Sequence, residues 1–332
     1  MPAVTDIGID LGTSSILVYV RGRGIIMQEP SLAAYDKDAE KVIAFGEEAE
    51  QKISRGAGNL MAIRPLKGGV ISDYVITEKM LQYFIQKSMG PMRLFKPHIV
   101  LCVPSGLTEI EQRAVEEAAW QAGARDVALV REPIVAAMGA GIDILKPSGT
   151  MIVNIGGGVT EIAVLSLAGV AAGQSLKVAG DTFDEAIVRY VRKIYDLFIG
   201  ERTAEEIKIR IGTANRGEQL RHVEVRGRDV RTGYARTISI SSDQVREAVT
   251  DPVIQIVDAV HNVLGGTPPE LASDVRERGI VLTGGGAQLE GLPEAIAHET
   301  GIRCILADDP QKVVARGLGE YLQAMQVFEK KR

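Results

Sequence analysis

Asp10 and Asn154 offer the first chemistry in this sequence, because they stand in nearly the same surroundings. Asp10 closes an apolar run that starts at Asp6. Gly12, Thr13, Ser14 and Ser15 follow, and then a second apolar run, Ile16–Val20. Asn154 closes a run that starts at Met151. Gly156, Gly157, Gly158, Val159, Thr160 and Glu161 follow, and then a second run, Ile162–Leu165. Each stretch reads as a β-hairpin whose turn needs positive φ or lets the backbone approach a ligand closely. Two such turns facing each other could hold a row of phosphates between backbone N–H groups. Asp10 could meet Mg²⁺ through water, since that ion keeps several waters when it accompanies phosphates. Taken alone, Asp10 has a second reading as the cap of its own turn.

A third glycine cluster, Gly284-Gly285-Gly286 with Ala287, ends the apolar run from Gly279. Adenine and ribose could approach there, where a side chain would clash. Glu132 precedes Pro133 at a strand end, which is where α/β sheets place ligand chemistry. The small residues Ala136–Gly141 permit close helix packing, as a hinge between lobes needs. No GxxxxGK[ST] occurs and no GxGxxG follows a strand, which argues against a P-loop or a dinucleotide fold. The reading is a nucleotide held in a cleft between two lobes of a duplicated α/β architecture.

The rest of the chain must supply those lobes. At 332 residues it is long enough for two, each with its own core. A net charge of −5 argues against a general nucleic-acid binder. Four scattered histidines and two distant cysteines, Cys102 and Cys304, form no metal spacing. The thiols read as buried, in a reducing compartment. Every apolar run falls short of the ~18 residues of a membrane span, so a cytoplasmic protein is expected.

Strand-like patches within 25–65 and a short helix near Glu47–Arg55 suggest a small inserted subdomain. A helix is expected from Thr77, and another after a Thr108–Glu111 capping box. Gly169–Gly173 reads as a turn leading to Val178–Asp181 and a helix through Phe198. Thr203 reads as the cap of a helix with Glu206 at the capping-box position. Residues 220–240 read as charged, exposed hairpins, Ser241–Leu264 as a helix, and Lys312–Phe328 as the last one. Leu94 and Phe95 lie between Arg93 and Lys96 in a loop bracketed by Pro91 and Pro97. That pair either folds back on the core or dips into an anionic membrane surface.

Asp6–Tyr19, Glu132-Pro133 with Ala136–Gly141, Met151–Leu165, Gly180-Asp181, Glu205–Lys208, Gly279–Gly286 and Val314–Gly317 together resemble the actin/Hsp70/sugar-kinase superfamily. The resemblance is closest to MreB, the bacterial actin family, with its Mbl paralogues, and it covers essentially the whole chain. It implies an actin-like (ribonuclease H-like) α/β fold of two lobes with two subdomains each. Subdomain IA would take 1–29, 66–141 and 310–332, and IB would take 30–65. IIA would take 142–177 and 241–309, and IIB 178–240.

The resemblance further implies ATP or ADP with Mg²⁺ in the cleft, Asp10 facing the ion through water. Gly12, Thr13, Ser14 and Ser15 would hold the phosphates from one side, and Gly156, Gly157, Gly158 and Val159 from the other. Gly180, Glu205, Glu206, Ile207 and Lys208 would border the adenosine, with Gly284, Gly285, Gly286 and Ala287 beneath it. Glu132 would orient the attacking water, and Glu161 and Asn154 would complete the catalytic set. Leu94 and Phe95 would insert into the membrane.

The implied function is a filament formed with copies of itself on the inner face of the cytoplasmic membrane. It would organise wall synthesis in rod-shaped cells with elongation partners such as RodZ and MreC/MreD, hydrolysing ATP slowly as a timer. Several departures bear on hydrolysis. The family usually has Asp where Asn154 stands, Thr at Val159, Glu at Arg131 and Asn at Ser15. A hydrolysis-impaired scaffold paralogue that co-polymerises is therefore an alternative. A small-molecule kinase of the superfamily is another, although no carboxylate stands out as the base it would need.

Overall fold

The computed structural model describes residues 6–56, 58–89, 96–215 and 219–329. Leu94 and Phe95, expected at the membrane, lie outside the described residues. Two five-stranded sheets share one strand plan. In the first, Asp6–Leu11 is central. It pairs antiparallel with Ser15–Val20, which pairs antiparallel with Gly24–Pro30. On its other side it runs parallel to His98–Val103, which runs parallel to Asp126–Arg131. In the second, Thr150–Ile155 is central, with Thr160–Ser166 and then Gly169–Leu176 antiparallel on one side. Ile280–Thr283 and then Cys304–Leu306 run parallel on the other. The duplication expected from two hairpins thus extends to whole sheets.

Both central strands are covered on both faces, which is why they read as nearly continuous apolar runs. Ile7, Ile9, Met151, Ile152, Val153 and Ile155 are fully buried. Because the central and crossover strands are parallel, their carboxyl ends point one way, and Asp10 and Asn154 sit at those ends.

Two helices join the sheets. Glu132–Gly139 and Val313–Glu329 share one apolar cluster with Val100 and Cys102 of the first sheet and Ile152, Ala163 and Leu165 of the second. They cross backbone to backbone. A Cβ on Gly317 would lie 2.6 Å from the carbonyl carbon of Val135, and one on Gly139 would lie 2.7 Å from Gly317 N. The small residues expected of a hinge therefore sit where the two helices touch.

Smaller sheets flank the cleft. One is Ala33–Asp36, Lys41–Phe45 and Leu60–Ile63, against the helix Gly46–Ser54. The other is Leu197–Phe198, His222–Asp229 and Ala235–Ser241, beside the helix Glu201–Ile211.

Local chemistry departs from the sequence reading at five places. Gly169–Leu176 is a strand. Its turn lies just before, at Leu167 and Ala168, whose φ values of 49° and 58° are taken by residues that rarely signal a turn. The helix expected from Thr77 begins at Tyr74, because Asp73 Oδ1 accepts the Ile76 N–H at 2.9 Å. Thr203 lies inside a helix that starts at Glu201 after Gly200. The helix expected through Phe198 stops at Tyr195, since Asp196 turns left-handed at φ 50° and Leu197–Phe198 joins a sheet. Cys304 is only half-buried, unlike Cys102. The Thr108–Glu111 capping box forms in both directions.

Candidate nucleotide site

The carboxyl ends of the two central strands open on one cavity of about 730 Å³. The hairpin turn that carries Gly12, Thr13, Ser14 and Ser15 faces the turn that carries Gly156, Gly157, Gly158 and Val159 across it. The approach is close. A Cβ on Gly157 would lie 2.7 Å from Ser14 Cβ, and one on Gly158 would lie 2.6 Å from Thr13 Oγ1. Only glycine leaves backbone N–H groups on that side free of a side-chain wall. Thr13 Oγ1 accepts the Gly69 N–H at 3.1 Å, and Ser14 Oγ donates to Asp181 Oδ1 at 3.0 Å.

The same cavity is lined by Asp10, Glu132, Asn154, Gly180, Glu205, Lys208, Gly284, Gly285 and Gly286. Four other sequence-predicted residues are not brought to it. Ile207 and Ala287 are buried in the second core, and Glu206 is exposed and pairs with Arg202 at 3.5 Å. Glu161 is buried behind the cavity, where its Oε2 accepts the Ser105 N–H at 3.1 Å. Gln28, Asp181, Arg221, Gln288, Glu290 and Gln311 also line the cavity, and sequence reasoning did not place them there. Asp181 alone had a signal, the Gly-Asp pair it forms with Gly180.

Three carboxyls converge on the strand ends, and all are pushed up. Burial raises Asp10 from 3.8 to about 7. Burial raises Glu132 well above the carboxylate range, with the charges of Glu161 and Asp10 adding and a hydrogen bond from Asn154 opposing. Burial also raises Glu161, against hydrogen bonds from Ser175 and Ser105. Among the described residues no cation pairs with Asp10 or Glu132 in a salt bridge, and the cavity's Lys208 and Arg221 pair with Asp184 and Glu290, so the strand-end carboxyls lack a positive partner. That deficit suits a divalent cation, and the glycine turns suit phosphate oxygens. The residues present fit Mg²⁺ with a nucleotide, Asp10 being the side chain that would face the ion's waters.

Further along, Lys208 Nζ donates to Gly180 O at 3.0 Å and to Asp184 Oδ2 at 2.7 Å. This ties the helix Glu201–Ile211 to the start of Gly180–Tyr195, and so fixes the wall that holds Glu205 and Lys208. Gly284, at φ 86°, lines the same cavity, and a Cβ there would meet the backbone of Ile155.

Comparison with solved structures places this fold among the bacterial actins. MreB5 of Spiroplasma citri bound to AMPPNP superposes with a TM-score of 0.93 at 33% identity, covering 100% of this chain and 99% of that one. The MamK double helical filament gives 0.83 at 22% identity, covering 97% and 99%, and supports the fold alone. The cell shape-determining protein Mbl of Bacillus cereus is 48% identical over 318 residues, 96% of each chain. The cell shape-determining protein MreB of Escherichia coli is 48% identical over 324 residues, 96% of this chain and 93% of that one. The family model described as MreB/Mbl protein matches residues 4–330. The chain belongs to the MreB/Mbl family.

Proposed function

We propose that this chain binds ATP and ADP with Mg²⁺ in the cleft and polymerises with copies of itself into actin-like filaments. In this reading the filaments lie on the cytoplasmic membrane and organise wall synthesis, with slow hydrolysis as their timer. Four subdomains, bounded as the sequence reading drew them, would supply the lobes. The carrying observation is the pair of glycine turns facing across one cavity that the carboxyls of Asp10 and Glu132 also line. Membership of a cell shape-determining family supports the reading, as does the nucleotide in the MreB5 structures, AMPPNP in one and ADP in another.

Ser14, Ser15 and the backbone of both turns would bind the phosphates, and Gly284–Gly286 would seat the nucleoside. Magnesium, when bound, neutralises charge on the phosphoryl oxygens. Glu132 lines the cavity, where its carboxyl would orient the attacking water. Val159 presents no hydroxyl beside the phosphate turn, which favours slow turnover and keeps a scaffold paralogue as the second reading. Leu94 and Phe95 would dip into lipid between the cations Arg93 and Lys96, and the elongation partners would dock on the assembled filament.

Sedimentation with Mg-ATP, with and without anionic liposomes, tests this reading. Nucleotide-dependent pelleting supports it, and a chain that stays in solution under every condition contradicts it. Replacing both Leu94 and Phe95 with Ser should release the protein from liposomes; unchanged co-sedimentation would remove the membrane loop from the account.

A further inference from the structure

By the resemblance drawn from the sequence, Asn154 would stand in place of an Asp, and the obvious account is a lost charge. The geometry points elsewhere. Asn154 is buried at the end of the central strand, opposite Thr283 on one side and Glu161 on the other. Its Nδ2 donates to Glu132 Oε1, and its Oδ1 accepts from Thr283 Oγ1 at 2.8 Å. Thr283 is fully buried and immediately precedes the third glycine turn.

The Asn154 NH₂ can only donate, and it takes a Glu132 oxygen as its acceptor whether that carboxyl is ionised or protonated. The Thr283 hydroxyl, donating to Oδ1, fixes the amide so that its NH₂ faces Glu132. An aspartate here would set carboxylate against carboxylate at a place where Glu132 already feels Asp10 and Glu161. One side chain would then have to move away or take up a proton.

We propose that Asn154 is a positioning residue for Glu132, oriented by Thr283, and that the amide is a working part of the site. The Thr283–Asn154–Glu132 chain links the turn beneath the nucleoside to the side chain that orients water. This proposal rests on the hydrolysis reading above for its functional half and on the contact itself for its structural half.

Phosphate release by the full chain with Mg-ATP tests the functional half. Asn154→Asp should lower kcat about 10-fold or more, the loss of a hydrogen bond to a charged group, with KM for ATP changed less than about threefold. Thr283→Val should lower kcat in the same direction, and Thr283→Ser, which keeps the hydroxyl, should restore it. Asn154→Asp turning over as fast as the parent or faster would overturn the proposal and revive the lost-charge account. Thr283→Val behaving like the parent would overturn the orienting role. A parent chain that releases no phosphate contradicts the hydrolysis reading separately. A melting-temperature cycle of Asn154→Ala, Glu132→Ala and the double variant then decides the contact: non-additivity keeps Asn154 as the anchor of Glu132, and additivity removes it.

Discussion

Ser14 Oγ donates to Asp181 Oδ1 at 3.0 Å, and that bond crosses the cleft from the first hairpin turn to the start of the helix Gly180–Tyr195. Phosphates entering between the turns would compete with Asp181 for the Ser14 hydroxyl. Ser14→Ala should therefore weaken ADP about 10-fold, the loss of one hydrogen bond to a charged group, in a titration with a fluorescent analogue. Unchanged affinity would place the phosphates elsewhere.

The turn glycines admit no side chain. Gly157→Ala brings its methyl onto Ser14, and Gly158→Ala brings its methyl onto Thr13. Each variant should keep the parent's far-UV circular dichroism and lose nucleotide affinity about 100-fold or more, roughly 3 kcal/mol. Parental affinity in either would mean that the two turns do not form the phosphate seat.

The helix crossing at Gly139 and Gly317 should be the most size-sensitive point of the joint between the sheets. Gly317→Ala drives a methyl into the Val135 carbonyl, which belongs to backbone and cannot swing aside. A loss of about 2–4 kcal/mol is expected, in the range of severe overpacking, read by urea denaturation. A loss below about 0.5 kcal/mol would show that the crossing relaxes freely.

Asp184 gives a pH dependence with a definite sign. Burial pushes it up to about 7 against the pull of Lys208, and its Oδ1 has no hydrogen-bond partner among the described residues. The folded chain thus holds this proton more tightly than the unfolded chain, where the pKa is about 3.9. The stability it contributes is fully present below about pH 4 and is lost as pH rises through about 7. Between these limits the parent should lose stability relative to Asp184→Asn. Parallel stability curves for the two proteins would contradict this.

The strand ends were legible in the sequence because they are local. A carboxylate or amide after an apolar run, followed by glycine, can be read within ten residues. Gly284–Gly286 was legible for the same reason. The duplicated sheet follows from the likeness of the two hairpins. What escaped depends on contacts between distant segments: Ser14 with Asp181, Asn154 with Thr283, and Lys208 with Asp184. Glu206 and Ile207 were drawn in by their neighbours Glu205 and Lys208, yet helical spacing turns them to solvent and to the core. The strand Gly169–Leu176 was hidden by its small residues, and its true turn by Leu167 and Ala168.

Phosphate release and electron microscopy on one sample of the full chain with Mg-ATP bear most directly on the account. Filaments accompanied by slow release, with release falling about 100-fold in Glu132→Ala while filaments persist, are the predicted result. No filaments with ATP, ADP or AMPPNP, with release unchanged in Glu132→Ala, would contradict it.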